Sequence, residues 1–210
     1  MVQKRCSGRA LPEGKPSVLV AVASPQIIDY LQLLTKGNTV PINPDDYDDP
    51  ELLAGWFEDQ RNHVLEYLEA EGVSFDDIEE CVPGDPDFCV APYVAVWPVM
   101  NGPDSDDVGC WVISGDLPTD YVSSDGLEDA RAVLAHFART WAEIAECIRT
   151  GREYPGMDPG PREAWAAQAD VLEARANSLR ALAEDDAVWD EEAYEDDEDW
   201  DEDEENDEQK

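Results

Sequence analysis

Positive charge is scarce in this sequence. The chain has 210 residues, of which 14 are Lys or Arg and 51 are Asp or Glu, so the formal net charge is −37. A field of this sign repels the phosphate backbone of nucleic acids and anionic lipid headgroups. The composition therefore argues against direct binding to nucleic acid or to a membrane surface. It leaves a basic or neutral protein surface as the partner to expect.

Sequence motifs for nucleotide-driven or nucleophilic chemistry are absent as well. Neither phosphate-binding loop, G-x-G-x-x-G or G-x-x-x-x-G-K-[ST], occurs, and there is no G-x-S-x-G nucleophile elbow. The two histidines, His63 and His136, lie in separate helical patterns, so a histidine-based metal or general-base site would require them to meet in space. We therefore expect no cofactor and no bound metal, and the sequence assigns no catalytic residue.

The cysteines and the apolar runs bear on the compartment. Five cysteines form an odd set without a C-x-x-C pair, which is typical of reduced, partly buried thiols rather than of a disulfide framework or a zinc site. No apolar run approaches the roughly 18 residues needed to span a bilayer. The sequence thus predicts a cytoplasmic protein with no membrane segment.

Changes in composition divide the chain into three parts. Residues 1–48 read as an N-terminal extension with a short strand near Val18 and a helix from Ser24 to Gly37. Residues 49–189 carry the periodic patterns of a single domain. Residues 190–210 are a low-complexity acidic stretch, which we expect to be a disordered, solvated tail.

Three long helices are predicted in the central part. Apolar residues recur there at steps of three and four, which is the spacing of one helix face. The first helix begins at Asp49-Pro50-Glu51 and ends near Gly72, and a last helix begins near Trp165. Between them, Asp125 and Glu128 resemble a capping box at the start of a helix that ends at Gly151.

The stretch from Phe88 to Tyr121 carries the β pattern. From Phe88 to Trp97 and again from Val108 to Ser114, apolar side chains occupy the alternate positions of both strand faces. Asn101-Gly102 opens the connection between the two runs. Both faces of these runs are apolar, so helices are expected to cover them. The prediction is an α+β fold, in which a small two- or three-stranded antiparallel sheet packs against about three main helices.

The turn Gly115 to Tyr121, with the sequence GDLPTDY, holds the densest polar group. Its carboxylates could share a divalent cation or divide acid and base roles, or they could accept backbone N–H groups and hold the turn in place. The nearby aromatic rings could line a groove for a peptide or small apolar ligand, or could form the core between sheet and helices. The candidate binding residues are Tyr93, Trp97, Trp111, Asp116, Thr119, Asp120 and Tyr121.

Two segments also resemble a known family. APYVAVW (Ala91 to Trp97) and WVISGDLPTDY (Trp111 to Tyr121) are similar to an uncharacterised bacterial family known as domain of unknown function 4826, over about residues 51–189. The resemblance implies no activity, cofactor or site, because none is assigned to that family.

These observations favour a non-catalytic cytoplasmic binding module that uses its acidic surface to dock a basic or neutral protein, for example as an inhibitor or immunity-type partner. The alternative is a cation-dependent enzyme or cation-binding protein centred on the GDLPTDY turn. A third reading is a nucleic-acid mimic, with the acidic tail as polyanion. Nothing in the sequence indicates the oligomeric state.

Overall fold

A computed structural model of the chain describes residues 19–20, 44–73, 77–152, 154 and 165–190. In these ranges the helices are α1 (Pro50–Ala70), α2 (Ile78–Cys81), α3 (Ala130–Thr150) and α4 (Trp165–Glu184). The strands are β1 (Leu19–Val20), β2 (Phe88–Val90), β3 (Val94–Met100), β4 (Val108–Gly115) and β5 (Asp120–Ser123). Two 3-10 turns span Pro44–Asp48 and Asp186–Trp189. The predicted helix from Ser24 to Gly37 and residues 191–210 of the predicted tail lie outside the described residues.

The strands form one sheet in the order of the chain, β1-β2-β3-β4-β5. The pairs β2–β3, β3–β4 and β4–β5 are antiparallel, and the two-residue β1 pairs with β2 in parallel. The predicted α+β class, with three long helices, is confirmed. The predicted number of antiparallel strands, two or three, is wrong, because the described part of the chain has four.

One of the extra strands arises because the first alternating run is two strands. Ala91, Pro92 and Tyr93 form a tight turn with a cis Ala91–Pro92 bond, so that Val90 pairs with Val94. The Tyr93 N–H donates to the Val90 carbonyl at 2.8 Å. The turn is buried and contains none of the polar residues or glycines that usually mark a hairpin. The sequence from Phe88 to Trp97 therefore has the pattern of one continuous strand. The break also moves Tyr93 to the face opposite Trp97, whereas an uninterrupted strand would place both on one face.

The other extra strand, β5, lies in the segment that reads as a turn. Its four residues pair with β4, with Tyr121 opposite Val112, and they alternate between half-buried and exposed. Whether so short a segment forms a strand depends more on pairing with its neighbour in the sheet than on its own residues. Strand β5 is one edge of the sheet.

The helix ends carry the capping residues that the sequence predicts, except at the start of α3. The Asp49 side chain caps α1 by accepting the Glu51 N–H at 2.9 Å, and Gly151 ends α3 in the left-handed conformation at φ 67°. Helix α3 begins later than the Asp125–Glu128 pattern predicts. Its N-cap is Asp129, whose carboxylate accepts the Ala132 N–H at 2.7 Å, and Asp125 lies in the preceding turn.

The sheet is covered on both faces, so the domain has three layers. Helix α1 packs on the face that carries Ala95, Trp97 and Val99. Helices α3 and α4 pack on the face that carries Val94, Val96 and Ile113. The two helices are antiparallel, because Arg131 near the start of α3 meets Ala183 near the end of α4, while Arg149 near the end of α3 pairs with Asp170 near the start of α4. None of the described helices is long and apolar enough to cross a membrane.

The described chain ends on a clamp around Trp189. Its ring stacks on Phe88 of β2, with centroids 4.6 Å apart and planes 18° apart. Its indole N–H donates to the Leu182 carbonyl at 2.9 Å, and the Arg131 guanidinium lies 5.9 Å from the ring centroid. Arg131 also bonds the Ala183 carbonyl and forms an ion pair with Asp186. This clamp fixes the end of the domain to the β2 side of the sheet.

Candidate functional site

The structure places the two candidate tryptophans in separate cores. Trp97 is fully buried on the α1 side, and its indole N–H donates to the Ser114 hydroxyl at 3.0 Å. Trp111 is buried on the opposite side, and its indole N–H donates to the Leu127 carbonyl at 3.2 Å. The two rings therefore do not line a common groove. Both indole N–H groups have hydrogen-bond acceptors inside the fold.

Tyr93 and Gly115 bring the β2–β3 turn against the end of β4. The Tyr93 side chain is buried with the α3–α4 core, and its carbonyl accepts the Asp116 N–H at 3.0 Å. Gly115 has φ 126°, and a Cβ added there would overlap the Tyr93 carbonyl. Only glycine fits this approach without displacing the backbone. The close contact fixes the position at which Asp116 leaves the sheet.

Asp116 faces α4. Its half-exposed carboxylate lies 4.0 Å from the Arg175 guanidinium, whose Nε is buried without a hydrogen-bond partner among the described residues. Burial lowers the pKa of Arg175, and Asp116 partly offsets this by raising it. A cavity of about 10 Å³ lies between Tyr93, Asp116, Arg175 and Ser178. That is room for about one water molecule. This contact is a polar link between α4 and the β4–β5 turn.

Asp120 faces α1 instead. Its Oδ1 accepts the Tyr121 N–H at 2.8 Å and the Tyr67 hydroxyl at 3.4 Å. The Tyr67 and Tyr121 rings meet edge to face at 6.3 Å, and burial followed by the charge of Asp120 raises the pKa of Tyr67. Tyr121 is 39% exposed, and Thr119 is half-buried. Asp120 thus satisfies a backbone donor on the edge strand and links β5 to α1.

The two aspartates therefore contact different helices on opposite sides of the sheet. No group of three or more His, Cys, Asp or Glu side chains in the described ranges is arranged to hold a metal ion. The two histidines also belong to different layers, His63 being exposed on α1 and His136 half-buried on α3. Burial, and then Arg139, lower the pKa of His136, and the charges of Asp120 and Glu143 partly offset this by raising it. In the described residues, the contacts of the GDLPTDY turn link it to α1 through Asp120 and to α4 through Asp116.

The feature that sequence reading does not locate is a segregation of charge between the layers. Residues 46–73 and 77–82 cover the α1 side of the sheet, and we call their outer surface the acidic face. It carries twelve acidic side chains, all exposed, and one base, Arg61. Arg61 is turned inward, where it donates to the backbone carbonyls of Val82, Pro83 and Glu79. The Arg61 guanidinium therefore lies beneath the exposed carboxylates rather than among them.

The opposite layer is nearly neutral. Residues 130–152 and 165–184, which form α3 and α4, hold six arginines and five acids. Arg149 pairs with Asp170 and Glu173 across the two helices. The domain thus presents one strongly negative surface and one balanced surface. The acids are spread along the chain, so only the layer order of the fold reveals this division.

Comparison with known proteins identifies a family but no characterised relative. The model of a family described as a domain of unknown function (DUF4826) matches residues 51–189. That range runs from the first turn of α1 to Trp189, so it contains β2 to β5 and all four helices except the first residue of α1. No curated protein and no solved structure is significantly similar to the chain.

Proposed function

We propose that this chain, which belongs to the DUF4826 family, is a non-catalytic, cytoplasmic protein-binding module whose acidic face docks a basic protein surface. The observation that carries the proposal is the twelve exposed carboxylates against one inward-turned arginine on the α1 side. Fields of this kind steer a basic partner toward one surface and raise association rates by about 10- to 1,000-fold. An inhibitor or immunity-type protein is one role that such a surface would serve.

Two exposed apolar side chains, one on the acidic face and one beside it on β5, support a docked complex rather than loose attraction. Leu52, in the first turn of α1, is 53% exposed. Tyr121, one of the candidate binding residues, is 39% exposed beside Tyr67 near the other end of α1. Residues 52 and 67 are about 22 Å apart along the helix axis. Protein interfaces combine such apolar anchors with a charged surround, in which the anchors provide affinity and the charges provide steering.

The cysteines support a cytoplasmic location for the protein. All four described cysteines are free thiols, and Cys81, Cys89 and Cys110 are buried in the core on the α1 side. A reducing compartment preserves such thiols, whereas an oxidising one favours disulfides. A cytoplasmic partner is therefore the one to look for.

The test is a pull-down that compares three full-length versions of the chain as bait. The first is the wild-type chain, and the second neutralises four exposed acids of α1 through Glu58→Gln, Asp59→Asn, Glu66→Gln and Glu69→Gln. The third, a matched control, removes the same number of charges from the tail through substitutions of residues 196–199. We expect a basic protein to be retained by the wild type and the tail control at about 50 mM salt, and to be lost from the α1 variant.

Affinity measured on the retained protein then tests the anchors. Leu52→Ala and Tyr121→Ala should each weaken binding mainly through faster dissociation, because they remove contact area and leave the charge unchanged. If the α1 variant retains the same proteins as the wild type, with the same salt dependence, the acidic face is not the docking surface and the proposal fails.

A further inference from the structure

We propose that the outer groove between α3 and α4 binds the acidic C-terminal tail, residues 191–210, of the same chain. The groove has a volume of about 710 Å³. Small side chains, including Ala135, Ala138 and Ala142, form its floor, so a bound segment can approach the helix backbones closely. The groove lies on the layer opposite the acidic face, and it is separate from the surface proposed above for a partner.

Three arginines line this groove, and none of them forms an ion pair with a carboxylate among the described residues, although the charge of Arg180 helps to lower the pKa of Glu173. Each donates instead to a neutral neighbour: Arg139 to His136 Nδ1 at 3.3 Å, Arg152 to Thr150 Oγ1 at 2.9 Å and Arg180 to Asn177 Oδ1 at 2.8 Å. A guanidinium has five donors in a planar fork that matches a carboxylate. The three groups therefore retain donors for an acidic ligand, in a chain whose net charge is −37.

Electrostatics directs the tail to this side of the molecule. Residues 191–210 contain fourteen acids and one lysine, so the twelve carboxylates of the acidic face repel them. The α3–α4 layer, with six arginines and five acids, has a net charge of +1 and does not repel them. Glu143, Glu146 and Glu184 also line the groove, which makes it locally neutral. Docking is therefore weak enough to be released by salt or by a competing acidic segment.

The geometry lets the tail reach the groove. Ala183 and Glu184 line one end, and six residues separate Glu184 from the start of the tail. Trp189 stacks on Phe88 of β2, so the tail starts beside that strand and has to pass around α4 to enter the groove. From Ala135 to Cys147 the groove follows twelve residues of α3, about 18 Å. Twenty extended residues span about 65 Å. Two tail aromatics, Tyr194 and Trp200, are available to cover the alanine floor.

Cys147, which lines the groove and is half-buried, is a reporter already present in the full-length chain. Its alkylation is followed by mass spectrometry of the peptide that contains it, at about 20 mM and about 500 mM salt. A tail that is docked nine-tenths of the time slows alkylation about tenfold. We expect that protection at low salt in the wild type. It should be lost at high salt, and at both salts in a chain with residues 195–205 neutralised.

Arginine variants distinguish release of the tail from the groove from a separation of α3 and α4. Arg139→Gln with Arg180→Gln should label as fast as the neutralised tail, whereas Arg149→Gln, outside the groove lining, should label like the wild type. Equal labelling of the wild type and the neutralised tail at low salt overturns the proposal. So does fast labelling of Arg149→Gln, which would mean that Cys147 reports separation of the helices. Labelling that depends on protein concentration overturns docking within one chain and assigns the tail to a second copy.

Discussion

Replacing Ser114 by Ala should destabilise the domain by about 2 kcal/mol. Ser114 and Trp97 are both fully buried, and the indole N–H donates to the Ser114 hydroxyl at 3.0 Å. Without that hydroxyl the indole donor stays inside the α1-side core with no acceptor, and an unsatisfied buried donor costs about 1–3 kcal/mol. Urea unfolding of the full-length chain, followed by tryptophan fluorescence, should show a lower midpoint with an unchanged slope.

A second buried serine provides the matched control. Ser178 is 2% exposed, and its hydroxyl donates to the Ala174 carbonyl one helical turn earlier. That carbonyl also lies in reach of the backbone N–H of Ser178, so Ser178→Ala should cost less than about 1 kcal/mol. In a Trp97→Phe background, Ser114→Ala should cost about 1 kcal/mol less than in the wild type. If Ser114→Ala costs no more than Ser178→Ala, or costs the same in both backgrounds, the Trp97 donor does not depend on the Ser114 hydroxyl.

Two further predictions concern the corner of the sheet and the buried thiols. Gly115→Ala should destabilise by more than about 2 kcal/mol, because the new Cβ overlaps the Tyr93 carbonyl at φ 126°, whereas Gly126→Ala, at φ 79° with open space around it, should cost about 1 kcal/mol; equal costs in urea unfolding would contradict the close approach. Burial raises the pKa of Cys89 to about 12 and of Cys110 to about 11 from an ordinary value of 9.0. The resulting stability is fully present below pH 9 and is lost as the pH rises from 9 through these values. The urea midpoint should therefore fall between pH 8.5 and 10.5, and should fall less in Cys110→Ala; an identical fall in both chains would exclude Cys110 as its cause.

Much of the helical architecture could be predicted because its signals are local. Asp49 with Pro50 marks the start of α1, and Gly151 marks the end of α3, where residue type and backbone geometry agree. The start of α3 is harder to predict because several acids precede it, and only the packing of the first turn selects Asp129. The turn at Pro92 cannot be recognised in the sequence because it is buried and apolar, whereas hairpins are usually marked by polar residues or glycine.

The candidate site was less predictable than the fold. A polar turn such as GDLPTDY has the same composition whether its carboxylates converge on a ligand or hold separate elements together. Asp116 and Asp120 take different partners, Arg175 and Tyr67, which come from distant parts of the chain. The acidic face and the α3–α4 groove depend on which helices share a layer. That is a property of the sheet order rather than of any short segment.

The stacking of Trp189 on Phe88 matters for anyone who shortens this protein. A chain cut after Glu184 keeps every long helix, yet it leaves the Phe88 ring uncovered and the Arg131 guanidinium without its aromatic neighbour. Such a fragment would tend to associate through the bared ring. A shortened chain that removes the acidic tail should therefore end no earlier than Asp190.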